Sequence, residues 1–247
     1  GYALRGPQHS IRRYEFDAWL LERSGAPVRT HEVRRIRRED GWYIVDEAWR
    51  CRYLVGAGGT RCPVYRDLFR EANPRVKGLQ AATLEHEFPC DWKKGDCHLW
   101  FFDKGLPGYS WYVPKSGGYL NLGIGAISGN LKPTGRNIKV HWEAFIRKMK
   151  RRGGINGAEP KPTGYSYFLR GPVDVVRREN AFITGDAAGL ATRDMCEGIG
   201  PAVKSGMLAA RAITDGAPYR LEGIAPHSLD NPLAARLLDR AFTKGKG

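Results

Sequence analysis

Asp186 is the side chain best placed to do chemistry, because small residues around it let the backbone approach a ligand closely. The apolar run 181–184 predicts a short buried strand, and Gly185 and Gly189 permit a tight turn after it. Two carboxylate oxygens on such a turn suit the hydroxyl groups of a polyol. Asp186 could instead only cap the turn, since aspartate after glycine is common in loops.

A second glycine-containing segment follows at Gly198, Ile199 and Gly200. It leads into apolar residues at helical spacing, namely Val203, Met207, Ala210 and Ile213. We expect the N–H groups of this segment to be uncovered, so that the positive end of the helix dipole faces a bound group. An electron-rich ring edge would fit there, although the three residues could also form only a turn.

Together the two segments resemble the Gly-Asp motif and the following helix start of FAD-dependent oxidoreductases with the hydroxybenzoate hydroxylase fold. Within that group the resemblance is closest to the geranylgeranyl reductase family. Tyr109-Ser-Trp111-Tyr-Val-Pro114, followed after eight residues by Gly123-Ile-Gly125, resembles that family's Tyr-x-Trp-x-Phe-Pro signature and its trailing Gly-x-Gly, with Val113 in place of Phe.

A third block of sequence agrees with this resemblance. Arg13-Tyr-Glu-Phe16-Asp17 is similar to the Arg-x-x-Phe-Asp helix of the same flavoproteins, and the three blocks occur in the family's order. The resemblance therefore covers most of the chain.

The resemblance implies FAD as the cofactor and gives individual residues a role. Asp186 would bind the ribityl chain, and the backbone N–H groups of 198–200 would bind the pyrimidine edge of the flavin. The implied cofactor-binding residues are Arg13, Gly185, Asp186, Gly198, Ile199 and Gly200. The implied substrate-binding residues are Tyr109, Trp111 and Pro114, although the aromatic side chains could equally pack in a core. No catalytic acid or base is marked out.

The chain departs from the family pattern at two places. Such flavoproteins begin with a strand, a Gly-x-Gly-x-x-Gly turn and a helix that hold the FAD pyrophosphate. This chain starts at Gly1, close to the Arg13 block, so we expect it to lack that segment, as a fragment or with a partner supplying the ADP-binding half. Gly58 stands where the family's Gly-Ala-Asp-Gly motif has Asp, which leaves the electron donor open between a reduced nicotinamide and a ferredoxin-like protein.

Hydrophobic periodicity predicts an α/β fold with two parts. A helix over 10–23 and strands over 28–33, 42–45 and 50–57 belong to a three-layer, Rossmann-like FAD-binding part that is incomplete at its N-terminus. Alternating segments between 79 and 127 predict an antiparallel sheet that forms a substrate domain. The expected boundaries are 1–76 with 166–247 for the discontinuous FAD-binding part, and 77–165 for the substrate domain.

The excess of basic over acidic residues favours anionic partners. The chain has 247 residues, with 40 lysines and arginines against 26 acidic residues, for a formal charge of +14. One basic cluster lies at 34–38, and a second, at 139–152, falls on a helix with an apolar stripe of Ile138, Trp142, Phe145, Ile146 and Met149. We interpret this helix as a solvated face over a packed stripe, with contact to an anionic membrane surface as the alternative.

The remaining composition excludes several kinds of site. The five cysteines have no Cys-x-x-Cys spacing, and the six histidines are scattered, so we predict reduced thiols and no metal. No run of residues is long and apolar enough to span a bilayer. A cytoplasmic location is therefore expected, with peripheral membrane contact as a further hypothesis.

These features predict an FAD-dependent reductase that transfers a hydride from reduced flavin to a carbon–carbon double bond of an isoprenoid or other apolar substrate. A flavin-dependent monooxygenase on the same fold is the first alternative, and a degenerate flavoprotein without activity is another. A basic, non-enzymatic module for nucleic acid or a membrane surface is the alternative of a different class. Nucleic acid is not favoured, because the aromatic residues are not interleaved with the basic ones.

Overall fold

The computed structural model describes residues 9–92, 94–155 and 157–243. The chain start at Gly1, on which the expected loss of the dinucleotide-binding segment depends, lies outside these residues. Within them the chain divides into two units. The first unit holds the described residues up to Thr30 with Thr83–Gly125 and Arg136–Gly164, and the second holds His31–Ala82, Ala126–Gly135 and the chain from Tyr165 onward.

The helices are α1 (Arg13–Ser24), α2 (Ser128–Leu131), α3 (Ile138–Arg151), α4 (Ile199–Thr214) and α5 (Pro232–Thr243). The strands are β1 (Ile36–Glu39), β2 (Trp42–Val45), β3 (Trp49–Cys51), β4 (Leu54–Gly56), β5 (Gln80–Pro89), β6 (His98–Phe101), β7 (Gly108–Lys115), β8 (Tyr119–Ile127), β9 (Thr163–Phe168), β10 (Arg177–Arg178) and β11 (Ala181–Ile183). Short 3₁₀ and π-helical turns connect several of them.

The strands form three sheets. Strands β1, β2 and β3 make an antiparallel meander. A second sheet has the order β10-β11-β4, in which β11 runs parallel to β4 with Ile183 opposite Gly56. The third sheet has five strands in the order β6-β7-β8-β5-β9, with β6 antiparallel to β7. This mixed arrangement confirms the predicted α/β class with an antiparallel sheet.

Helix α1 belongs to a different part of the chain than the predicted domain boundaries assigned it to. Residues up to Thr30, which the sequence assigned to the FAD-binding part, belong to the unit that contains most of the third sheet. The functional division into a cofactor part and a substrate part stays a prediction.

The predicted strand over 28–33 is wrong, since the first strand begins only at Ile36. Between the predicted range and β1, the carboxylate of Asp46 accepts the backbone N–H groups of Arg34 at 3.1 Å and Arg35 at 2.7 Å. A side chain thus takes the place of a neighbouring strand as the hydrogen-bond acceptor.

Helix α3 confirms the interpretation of a solvated basic face over a packed stripe. Asn137 caps its start by accepting the N–H of Val140 at 3.2 Å. The stripe packs in the interior of the first unit. The buried residues of the helix are His141, Trp142, Phe145, Ile146 and Met149. The apolar stripe is therefore not available to a lipid surface.

A loop of the second unit, residues 192–197, joins the turn at Asp186 to helix α4. Its centre is Asp194, which has no exposed surface. The Asp194 carboxylate accepts the N–H groups of Ser228 at 3.0 Å, Leu229 at 2.9 Å and Met195 at 2.9 Å. Burial alone would raise the pKa of Asp194, but these backbone donors outweigh it and the pKa is lowered.

We expect Asp194→Asn to destabilise the protein by about 1.5 to 3 kcal/mol at pH 7, because hydrogen bonds to a charged acceptor are lost. The lowered pKa means that the carboxylate stabilises the fold above the unfolded-state pKa of about 3.9 and loses that effect as the pH falls through the folded-state pKa. Urea unfolding at pH 7 and near pH 3.5 should show the difference between wild type and variant shrinking at the lower pH. Asp230→Asn, an exposed aspartate nearby, is the matched control. An equal loss in both variants would contradict this role.

Candidate functional site

Asp186 lies on a turn at the carboxyl end of a buried parallel strand. The three residues of β11 have no exposed surface, and the N–H of Thr184 donates to the carbonyl oxygen of Gly56 at 3.0 Å. Gly185 then takes a positive φ of 51°, and its N–H donates to Oγ of Ser205 at 2.9 Å. This φ favours glycine, and the half-buried Asp186 follows at the strand's carboxyl edge, where α/β sheets bind ligands.

The carboxylate of Asp186 lies against the backbone at the start of helix α4. A Cβ atom built on Gly198 would stand 3.2 Å from Oδ1 of Asp186, which is closer than most Cβ contacts. A side chain at position 198 would therefore crowd the carboxylate. The structure thus brings together Gly185, Asp186 and Gly198, which the sequence placed in one site.

The start of helix α4 differs from the prediction at one amide. The helix begins at Ile199, and the N–H of Gly200 donates to Oε1 of Glu197 at 2.8 Å. The expectation that this N–H is uncovered is therefore wrong, because an acidic side chain just before a helix binds its first-turn amides. Within the described part of the chain, the amides of Gly198 and Ile199 have no hydrogen-bond acceptor.

Glu197 is held in place by Thr192. The N–H of Glu197 donates to Oγ1 of Thr192 at 3.0 Å, and the N–H of Thr192 donates to the carbonyl oxygen of Glu197 at 2.8 Å. The carboxylate therefore has a fixed position at the positive end of the helix dipole, where it offsets part of the positive potential. Its place beside Gly198 and Gly200 was the signal that could have identified it from sequence.

Cys196 is a structural residue of this loop. Its φ of 57° is positive, and its carbonyl oxygen accepts the hydroxyl of Tyr167 at 3.2 Å. Burial raises the pKa of the Cys196 thiol to about 12. The thiol is thus protonated at neutral pH and is unsuited to act as a nucleophile.

Arg75 is a further residue at the site that sequence analysis missed. Its Nη2 atom donates to the carbonyl oxygens of Asp186 and Ala187, both at 3.2 Å. These bonds hold the backbone of the turn in place. The 111 residues that separate Arg75 from Asp186 left no local pattern to find it by.

Arg13, the remaining implied cofactor residue, belongs to the first unit and lies on helix α1. Its guanidinium donates to the carboxylate of Asp17 at 3.0 Å, one helical turn away, and its side chain is 61% exposed. The neighbouring Arg12 is the anchored residue, with Nε 2.9 Å from Oε1 of Glu87 and its guanidinium 3.6 Å from the ring centre of Tyr119.

The implied substrate residues do not all share one face of the sheet. Tyr109 and Trp111 lie half-buried on the same face of β7, with ring centres 5.6 Å apart, whereas Pro114 is buried on the opposite face. Trp111 lies flat over Gly123, where a Cβ would stand 1.9 Å from its ring, and its Nε1 donates to Oδ1 of Asn121 at 2.6 Å. The Tyr-x-Trp signature therefore occurs together with the later Gly-x-Gly because the Trp111 ring occupies the space that a side chain at position 123 would need.

The basic cluster at 34–38 is largely paired with acidic residues. Arg37 contacts both Glu39 and Glu47, with 2.7 Å to the latter, and Arg38 contacts Glu179. Paired arginines offer less to a phosphate backbone. Among the helices that the structure describes, none has the length and apolar character that crossing a bilayer requires.

Comparisons of sequence and of structure show which known proteins this chain is similar to. No protein-family model matches the chain. The chain is 26% identical over 170 residues to a protein named menaquinone reductase from Mycobacterium tuberculosis, a match that covers 66% of this chain and 41% of that protein. The chain therefore spans less than half the length of this curated relative.

Solved structures show the same fold at lower identity. A geranylgeranyl bacteriochlorophyll reductase-like protein from Thermoplasma acidophilum superposes with a TM-score of 0.61 at 16% identity, covering 86% of this chain and 53% of that one. A triple mutant of the flavin-dependent brominase Bmp2 gives 0.59 at 18% identity, covering 93% and 61%. These findings confirm the fold that the motifs indicated: the chain has the fold of the FAD-dependent oxidoreductases.

Proposed function

We propose that this chain forms the flavin-end and substrate part of an FAD-dependent reductase. The observation that carries the proposal is the close approach of the Asp186 carboxylate to the backbone at Gly198. It places an acceptor of two hydroxyl hydrogen bonds beside the two open amides of Gly198 and Ile199. A ligand that has hydroxyl groups next to an electron-rich ring edge matches this donor and acceptor set.

The chain's own residues would bind and orient the cofactor. Asp186 would accept hydrogen bonds from the ribityl hydroxyls, and the amides of Gly198 and Ile199 would donate to the pyrimidine edge of the ring. Glu197 moderates the positive potential at the helix start. FAD, when bound, supplies the hydride-transfer chemistry, while the protein supplies position and electrostatics.

An aromatic row on the paired strands β6 and β7 supports the proposed substrate class. Phe101, Tyr109 and Trp111 form a row with ring centres 5.3 and 5.6 Å apart. An isoprenoid chain has no hydrogen-bonding groups, so shaped apolar surface must bind it, at about 0.8 kcal/mol for each buried CH₂. The names of the menaquinone reductase relative and the geranylgeranyl reductase-like neighbour support an isoprenoid substrate.

The proposal also requires an ADP-binding part, which the sequence of this chain does not show. In the described part of the chain, strand β4 is an edge strand that pairs in parallel with β11, and Tyr53 just before it and Val55 within it are 43% and 40% exposed. We propose that a dinucleotide-binding segment adds parallel strands at this edge. The menaquinone reductase relative is longer than this chain, and the segment would correspond to part of that additional length.

The reaction is tested by reducing the flavin-loaded protein without oxygen and then adding an isoprenoid quinone or another isoprenoid alkene. We expect bleaching of the flavin absorbance by the reductant and its return on addition of the isoprenoid, with the reduced isoprenoid as product. Stoichiometric oxygen consumption with a hydroxylated product would instead identify the monooxygenase alternative. Protein that includes the ADP-binding part and still never retains flavin would refute the proposal.

We expect Asp186→Asn to weaken flavin binding about 10- to 100-fold, because hydrogen bonds to a charged acceptor are worth about 1.5 to 3 kcal/mol. Quenching of flavin fluorescence on titration with protein measures this affinity. Asp230→Asn removes the same charge from an exposed position and should bind as the wild type does. Equal affinity in all three proteins would show that Asp186 is not a flavin ligand.

We expect Glu197→Gln to raise the two-electron midpoint potential of bound flavin by roughly 10 to 20 mV. The glutamine can still accept the N–H of Gly200, but the negative charge is gone, and a charge near a helix end is worth about 0.3 to 1 kcal/mol. Spectroelectrochemical titration of both proteins measures the potential. An unchanged or lower potential would place Glu197 away from the flavin.

A further inference from the structure

We propose that an exposed apolar stripe on helix α1 is the surface on which the dinucleotide-binding segment packs. The α1 stripe consists of Tyr14, Ala18 and Leu21, with Ile11 just before the helix. The inference rests on the proposed function, because that proposal requires the segment.

The spacing of the α1 stripe is that of a buried helix face. Tyr14, Ala18 and Leu21 are four and three residues apart, so they lie on one side of the helix. The structure leaves this side uncovered, since Tyr14 is 74% exposed, Leu21 is 50% exposed and Ile11 is 41% exposed. None of the residues of α1, all of which the structure describes, is buried. The sequence pattern thus marks a face that the described part of the chain does not cover.

Helix α1 is attached to the rest of its unit at its start and on its other side. Nε of Arg12 donates to Oε1 of Glu87 at 2.9 Å, and the Arg12 guanidinium lies 3.6 Å from the ring centre of Tyr119. The half-buried Phe16 is two residues from Tyr14 and therefore about 200° away around the helix axis. The α1 stripe consequently faces away from this attachment and is open to a partner.

The small size of the α1 stripe favours a partner within the same protein. A stable interface between separate molecules involves about 20 to 30 residues on each side, whereas the stripe has four. A segment joined to the chain loses less translational and rotational freedom on packing, so a few side chains are enough to hold it. The match to the menaquinone reductase relative covers 41% of that protein, so a protein of that kind has additional chain to cover the stripe.

The charges beside the α1 stripe disfavour a membrane as the occupant. Helices that lie on membrane surfaces carry lysine and arginine next to their apolar face. Here Glu22 follows Ala18 by four residues and borders the stripe, and within the described part of the chain it has no ion pair. Glu15, which lies on the same side of the helix, is paired with Arg12. The expected partner is therefore an apolar face with a basic group at its rim.

Hydrogen–deuterium exchange tests the proposal by comparing this chain alone with the protein that includes the dinucleotide-binding segment. The backbone amides of α1 should exchange about tenfold more slowly, or slower still, when the segment is present, because a covered helix opens less often. In that longer protein Leu21→Asp should return the exchange towards the rate in the chain alone, since it puts a charge into the covered face. Leu237→Asp makes the same change at an exposed leucine of helix α5 and should leave α1 protected.

Equal exchange of α1 in the two wild-type proteins would overturn the proposal without reference to any variant. Loss of α1 protection in Leu237→Asp as much as in Leu21→Asp would also overturn it. Protection that appears in this chain alone at higher concentration, or on addition of vesicles with anionic lipid, would assign the stripe to a second copy or to a membrane and reject the segment.

The exchange experiment needs no bound flavin, so the two proposals fail separately. A longer protein that retains flavin while α1 exchanges freely would reject only this inference. Protection of α1 in a longer protein that never retains flavin would instead reject the proposed function and leave the packing in place.

Discussion

The contact between the Asp186 carboxylate and the backbone at Gly198 is the constraint on which the candidate site depends. The carboxylate comes at the end of a buried parallel strand, and the backbone belongs to the start of helix α4. A side chain at position 198 would crowd the carboxylate, so glycine at this position permits the close approach. A negative acceptor and a helix start with two open amides are thereby held side by side.

Hydrogen bonds from other parts of the second unit keep this contact in place. Ser205 binds the N–H of Gly185 from inside helix α4, and Arg75 binds the carbonyl side of the same turn. Thr192 and Asp194 fix the loop that returns the chain to the helix. Because these bonds come from separate parts of the second unit, the site is preorganised, which reduces the ordering cost of binding a ligand.

The sequence predicted the elements whose signals are local. Asp186 and Gly198 lie in short motifs with a strand before them and a helix after them, and the stripe of α3 repeats at helical spacing, so both were found. Asp194 and Arg75 could not be found this way, because their partners, Ser228 and Asp186, are 34 and 111 residues distant. The first strand begins later than predicted, and just before it the acceptor of the Arg34 and Arg35 amides is the side chain of Asp46, which no local pattern indicates.

The side-chain bond of Glu197 to Gly200 also shows the limit of motif reasoning. A glycine-rich helix start indicates exposed amides, but whether a neighbouring carboxylate turns inward depends on the loop that carries it. Here Thr192 sets the position of Glu197, and two amides are open where three were expected.

The most direct test is a nuclear magnetic resonance titration of the isotope-labelled protein with FAD, following the assigned amide signals. The account predicts that the signals of Gly198 and Ile199 shift strongly, while the amides of helix α3 stay where they are. Flavin that perturbs neither Gly198 nor Ile199, or that shifts signals only outside the second unit, would contradict it.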